Sequence, residues 1–224
     1  MAKAQKKWSM TALATDVVIF TVQGNQLKVL LIKMKKEPYL GMWAVPGGLV
    51  NPDESVDQAA KRHLSAKTGV HDVYLEQLYT FGDVKRDPYG RVVAVAYFAL
   101  IPSSGLTLKT TEKYSDVMWI PVKKLPALAY DHKEIIRVAV NRLKAKLGYT
   151  TISYSLLSKE FSFSELQSVY EIILGKDMDK RNFRKKILAR GLVQATGAIR
   201  RGEASRPAAL FAFKKRISQL IDLL

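Results

Sequence analysis

Two stretches of the chain hold residue types that do chemistry at useful spacings. In the first, Gly47-Gly48 opens a loop that passes Asp53 and Glu54 and runs into a helical segment holding Arg62, His63, Ala66, Lys67 and Gly69. Positions 63, 66 and 67 are related by i, i+3 and i+4 and so share one helix face. Three carboxylates there would grip magnesium, because hard divalent cations on a diphosphate take oxygen ligands. This face instead offers an imidazole, a methyl group and an ammonium, the last of which repels the ion. The chemistry expected is binding without hydrolysis, with no metal and no cofactor. Lys67 could replace part of the missing metal charge, although an ammonium pointing into solvent is the simpler reading of a lysine.

The second stretch is basic. Lys180, Arg181, Arg184 and Lys185 crowd one predicted helix as i, i+4 pairs, while Phe183 and Ile187 fall on another side and can pack inward, with Leu188 blurring the edge. Asn182 is a candidate adenine reader. A hairpin from Gly197 to Arg206 follows, with Arg200, Arg201 and Arg206 at its tip, suited to phosphate or a minor groove. The charge is concentrated here. The 224 residues hold 36 Lys+Arg against 20 Asp+Glu, a net charge of +16, yet residues 150–224 have about one and a half times the net charge per residue of residues 1–149. Such a field attracts polyanions.

The elements that must position these groups fall into two domains, 1–149 and 150–224. In the first, apolar and β-branched runs at 12–22, 27–34, 73–81, 91–101 and 117–120 read as strands, and 53–68 and 132–147 as helices, which makes an α+β domain. In the second, a helix capped by Ser164 and ending at Gly175 precedes a helix from about Asp179 to Arg190. Strands at 192–195 and 209–213 complete a winged helix. Cysteine is absent, so disulfide scaffolds, thiolate metal sites and cysteine nucleophiles are excluded. The basic opening residues and the short Val17-Val18-Ile19-Phe20 run do not make a spanning helix, so the cytoplasm and no membrane partner are expected.

Here the sequence resembles the Nudix family. That family's box is Gly, five residues, Glu, seven residues, Arg-Glu, an aliphatic residue, one residue, Glu-Glu, one residue, Gly and an aliphatic residue. Gly48, Glu54, Arg62, Leu64, Gly69 and Val70 fall in register, and the glutamates of Arg-Glu and Glu-Glu are replaced by His63, Ala66 and Lys67. Farther on, Phe163-Ser164-Glu165-Leu166-Gln167, the run Met178 to Leu188, and Arg206-Pro207-Ala208-Ala209-Leu210 resemble the Nudix-related, NrtR-like transcriptional regulators. The resemblance covers about residues 10–213 and implies a Nudix-like α/β/α sandwich, catalytically degenerate, with a C-terminal winged helix-turn-helix. It further implies a homodimeric repressor of NAD synthesis or salvage genes that binds an inverted-repeat operator in double-stranded DNA and senses ADP-ribose. A branch that controls carbohydrate catabolism and responds to sugars is the alternative.

Candidate effector contacts are Trp43, Gly47, Gly48, Glu54, Lys67, Arg86 and Arg91. For Trp43, stacking on an adenine and a core or rim position weigh evenly. Arg86 and Arg91 flank an Asp-Pro-Tyr-Gly turn and could hold a phosphate in fork geometry, or be solvated. Asp131 reads as an N-cap and His132 as a first-turn residue. An active Nudix hydrolase and an RNA-binding or scaffolding protein are the competing classes; the first needs Glu at 63, 66 and 67, and the second predicts no preference for a palindromic duplex.

Overall fold

Alternation along the first long strand sets the architecture. The computed structural model describes residues 10–69, 71, 73–103, 108, 114–202 and 205–221, with Arg206 described by its backbone alone; the box position Val70 and the basic opening residues lie outside the described residues. Strand β1 (Ala12–Gln23) is buried from position 14 to 21. Val17 and Ile19 join Leu30, Ala60, Leu64 and Tyr97 in one apolar layer, whereas Val18 and Phe20 join Leu31, Phe98, Ile135 and Ile136 in the other. A strand covered on both faces needs apolar residues at successive positions, and this run supplies them.

Strands β2 (Gln26–Met34), β3 (Trp43–Ala44) and β4 (Gly47–Leu49) lead to helix α1 (Val56–Thr68); β5 (Tyr74–Phe81), β6 (Val92–Leu100) and β7 (Tyr114–Pro121) lead to α2 (His132–Tyr149). The sheet runs β3-β2-β1-β6-β5, with β4 on β1 and β7 on β2; β1 and β6 are parallel. Helices α1 and α2 cover opposite faces, which is the expected α/β/α sandwich. Helix α1 starts at Val56 rather than 53, because Ser55 and Gln58 form a reciprocal capping box; Gly69 closes the helix in the left-handed region at φ 66°.

The C-terminal elements are β8 (Phe161–Ser162), α3 (Phe163–Leu174), α4 (Lys180–Ala189), β9 (Val193–Gly202) and β10 (Ser205–Phe213), with sheet order β8-β10-β9. The cap of α3 is Ser162, not Ser164: its Oγ accepts from Glu165 N at 3.2 Å while Glu165 accepts from Ser162 N at 2.7 Å. The wing strands are longer than expected from their apolar cores, since pairing carries the ladder outward into the polar hairpin. Glu203 and Ala204 at its tip lie outside the described residues.

The two halves share one core. Helix α3 packs on α2 and β2, and Phe161, Tyr170, Phe183 and Phe211 belong to the same apolar cluster as Val18, Phe98 and Ile136. Residues 216–221 return to the connection between them: Thr150 bridges Leu220, Ile221 N donates to Tyr149 O at 2.8 Å, and Arg216 donates to the carbonyls of Tyr154, Leu157 and Ser158. Among the described residues, no helix is long and apolar enough to cross a membrane.

Candidate effector cleft and nucleic-acid interface

Strand β1 carries one charge into the sandwich interior. Asp16 lies on the side of β1 that faces α2, and its Oδ2 accepts from Arg86 Nη2 at 3.0 Å. Arg86 also donates Nε and Nη2 to the two oxygens of Asp131 at 3.0 and 2.8 Å. The Arg86 side chain is 4% exposed, so two carboxylates neutralise a buried guanidinium. Asp131 sits at the N-cap position of α2 as read, but its side chain holds Arg86 and makes no capping bond. His132 is buried beside them; its Nδ1 accepts from Val45 N at 3.1 Å and its Nε2 lies 3.7 Å from Asp16 Oδ1.

Asp16, Arg86 and His132 line a cleft of about 210 Å³ with Gly47, Gly48, Tyr114 and Tyr130. Gly47 is required by close approach: a Cβ there would lie 2.4 Å from Asp16 Oδ1 and 2.6 Å from the Thr15 carbonyl. At Gly48, φ is 155° and a Cβ would meet the His63 ring at 3.1 Å. Tyr130 is a non-glycine residue at φ 53°, its ring tilted against those of Tyr39 and His132, so the chain holds backbone strain at the cleft.

The other candidate effector residues lie outside the cleft's lining. Both carboxylate oxygens of Glu54 accept from Arg62, and one also accepts from Asn51 N at 2.8 Å. Those bonds hold the Glu54 pKa down at about 2 and make the residue a loop staple. Arg91 donates to the carbonyls of Gly82 and Asp83, fastening the turn rather than opening toward a phosphate. Trp43 is half-buried against the large core, with Lys33 Nζ 5.9 Å from its ring. Lys67 corrects the solvent-facing reading: it is buried, with Nζ 3.8 Å from the centre of the Tyr114 ring.

The face at 63, 66 and 67 does not fit a divalent cation, and among the described residues no group of three His, Asp or Glu side chains could hold one. His63 Nε2 is buried without a hydrogen-bond partner. Burial, and then the charge of Arg62, push its pKa down to about 4. Burial also lowers the pKa of His132. A depressed imidazole favours folding above its unfolded value of about 6.5, and that contribution is lost as pH falls toward the folded value. The ring protons of His63 are accordingly expected to titrate near pH 4 in an NMR experiment simplified by there being three histidines. Titration near 6.5 would contradict a buried neutral ring.

In the C-terminal half, Phe183 and Ile187 are buried as expected, so by the helix period Arg181 and Lys185 project from the opposite side of α4, with Asn182 and Leu188 flanking them. Lys180, Arg181, Asn182 and Lys185 are exposed, as is Lys186, which stands outside the i, i+4 pairs. Two arginines point elsewhere. Arg184 lies over the rings of Phe163 and Phe211, at 4.5 and 5.3 Å. Arg200 donates to Glu165 at 2.7 Å and to the Glu160 carbonyl, which ties the wing to the start of α3. Arg201 is exposed on the wing, and the side chain of Arg206 lies outside the described residues. Of the cleft residues, Asp16, Tyr114 and Tyr130 were missed; a lone aspartate inside a buried apolar strand was the available signal for Asp16.

A Nudix sandwich with its metal face rewritten, sharing a core with a winged helix that displays a basic helix, defines a two-domain class joining a nucleotide-binding fold to a DNA-binding fold. Residues 10–139 match the NUDIX domain, and residues 153–213 match the NrtR DNA-binding winged helix domain. The chain belongs to the NrtR family. It is 36% identical over 219 residues to the ADPR responsive transcriptional repressor NtrR of Acinetobacter baylyi, covering 95% of this chain and 86% of that protein. An ADP-ribose pyrophosphatase of Methanocaldococcus jannaschii is 33% identical over 126 residues, 56% of this chain and 71% of the enzyme. The fold is similar to the crystal structure of Shewanella oneidensis NrtR complexed with a 27mer DNA, with a TM-score of 0.79 and 38% identity over 90% of this chain and 93% of that one. It is also similar to the NUDIX domain of that protein complexed with ADP ribose, with a TM-score of 0.55 and 39% identity over 63% of this chain and 94% of that one.

Proposed function

We propose that this protein is a DNA-binding transcriptional repressor of NAD synthesis or salvage genes, which senses ADP-ribose and does not hydrolyse it. Residues 1–149 form the effector unit and residues 150–224 the reader, acting as a cytoplasmic homodimer on an inverted repeat. The observation that carries the reading is the helix face of His63, Ala66 and Lys67: it cannot assemble the metal that pyrophosphate cleavage needs, while the cleft beside it retains charged and aromatic walls. A volume of about 210 Å³ encloses part of such a ligand, so the remainder crosses the exposed rim. Gly47 and Gly48 are the effector residues best placed, joined by Tyr114, Tyr130 and His132, while Arg86 lines the cleft with its guanidinium held by Asp16 and Asp131.

ADP-ribose is expected to bind by calorimetry in the presence of EDTA, to be turned over negligibly with magnesium, and to release the protein from its operator. Reciprocity requires the operator to weaken ADP-ribose by the same factor, typically worth about 1–3 kcal/mol. Robust magnesium-dependent turnover would overturn the non-enzymatic reading. Operator affinity that ignores millimolar ADP-ribose but falls with a free pentose or hexose would move the protein to the sugar-responsive alternative.

A further inference from the structure

A cavity larger than the Nudix cleft lies away from it, at the junction of the two halves. It has a volume of about 660 Å³, inside the range of small-molecule sites, and domain junctions are a preferred location for them. One wall is built by the 3-10 turn Val122–Lys124, the β1–β2 turn and α2; the other is the C-terminal part of α3 and the residues after it. Four exposed lysines, Lys123, Lys124, Lys144 and Lys176, line it together with a less exposed aliphatic floor that includes Val140 and Ile172. Two carboxylates share the lining. Glu171 is engaged locally, accepting from Gln167 Nε2 at 2.7 Å and from Met178 N, just beyond α3, at 2.9 Å. Asp177 is exposed on the α3 side.

From this arrangement we infer a second ligand site, for a phosphorylated molecule with a flat apolar body, of the mononucleotide class. Lysines from both halves supply the charge for a phosphate, and the aliphatic floor accepts a base, a combination that neither an inorganic anion nor an uncharged nucleoside satisfies. A bound ligand touches α2 and α3 together, so it favours the domain arrangement that holds those lysines close, and its binding is linked to any change in that arrangement. This site is separate from the cleft at Asp16 and Arg86, and its test rests on the proposed binding of ADP-ribose in that cleft, which the double variant below distinguishes from binding here.

Calorimetry on the full chain saturated with ADP-ribose tests it with AMP, adenosine and inorganic pyrophosphate. AMP is expected to bind once per chain, with adenosine and pyrophosphate each at least tenfold weaker. The double variant Lys123→Glu/Lys144→Glu is expected to lower AMP affinity at least tenfold while leaving ADP-ribose affinity and the melting temperature unchanged, since both side chains are exposed. Failure of AMP to bind at millimolar concentration overturns the site, as does AMP binding that survives the double charge reversal. Complete competition between AMP and ADP-ribose would place AMP in the Nudix cleft and also overturn it. Pyrophosphate binding as tightly as AMP would overturn the mononucleotide assignment.

Discussion

Replacing Arg86 with Met is expected to destabilise the protein by about 3–5 kcal/mol, because it leaves an uncompensated buried charge. The guanidinium lies between Asp16, whose side chain is 7% exposed, and Asp131, at 21%, and satisfies oxygens of both. Its departure strands two carboxylates that water reaches poorly. Urea unfolding should show a lower midpoint at an unchanged slope, the sign of lost stability without a change in exposed surface. The triple variant Arg86→Met/Asp16→Asn/Asp131→Asn should recover much of the loss, as buried ion clusters are often replaceable as a set. A loss well below about 1 kcal/mol for the single variant would mean that the cluster is wet and contributes little.

Operator binding should respond most strongly on α4. Arg181→Ala and Lys185→Ala remove the exposed cations farthest from the buried Phe183 and Ile187, and each is expected to cost about 1–3 kcal/mol if it meets a base, and less at a phosphate. The two kinds of contact separate in the measurement. A base contact relaxes preference at one operator position, whereas a phosphate contact lowers affinity for all duplexes and reduces the salt slope by about one unit. Arg200→Ala serves as the contrast: its guanidinium is held by Glu165 and the Glu160 carbonyl, so its loss should loosen the wing more than it weakens DNA. Arg184→Ala should appear mainly in stability, since that side chain rests on two aromatic rings. Unchanged operator affinity in Arg181→Ala/Lys185→Ala would remove this face of α4 from recognition.

Local pattern made the elements legible and left their partners hidden. Buried apolar runs marked β1, β2 and β6, Gly69 and Gly175 marked helix ends, and Phe183 with Ile187 marked the inward side of α4. Strands β3, β4 and β8 are too short to show a period. The site suffered more, because ion pairing depends on contacts distant in sequence: Arg86 finds Asp16 70 residues away and Asp131 45 residues away. Read alone, the turn from Arg86 to Arg91 resembles a phosphate fork, and only the fold reveals that both guanidinium groups are already engaged. Arg200 is the same case, with its carboxylate 35 residues upstream. Lys67 was misjudged on the ordinary preference of lysine for water, which the Tyr114 ring and the packed sandwich override.

The return of residues 216–221 to residues 149–157 has a practical consequence for building chimaeras. Thr150 and Leu220 are bridged, so the winged helix begins and finishes at one spot, and a splice needs a single short gap in its host. An insertion cassette cut from 150 to 221 keeps the stitches of Thr151 to Gln219 and of Arg216 to Tyr154, whereas one that stops at Phe213, where the wing sheet ends, discards them. The longer cassette should therefore tolerate transplantation into a loop of another scaffold better, provided that the new host offers an apolar surface to α3 in place of α2 and β2.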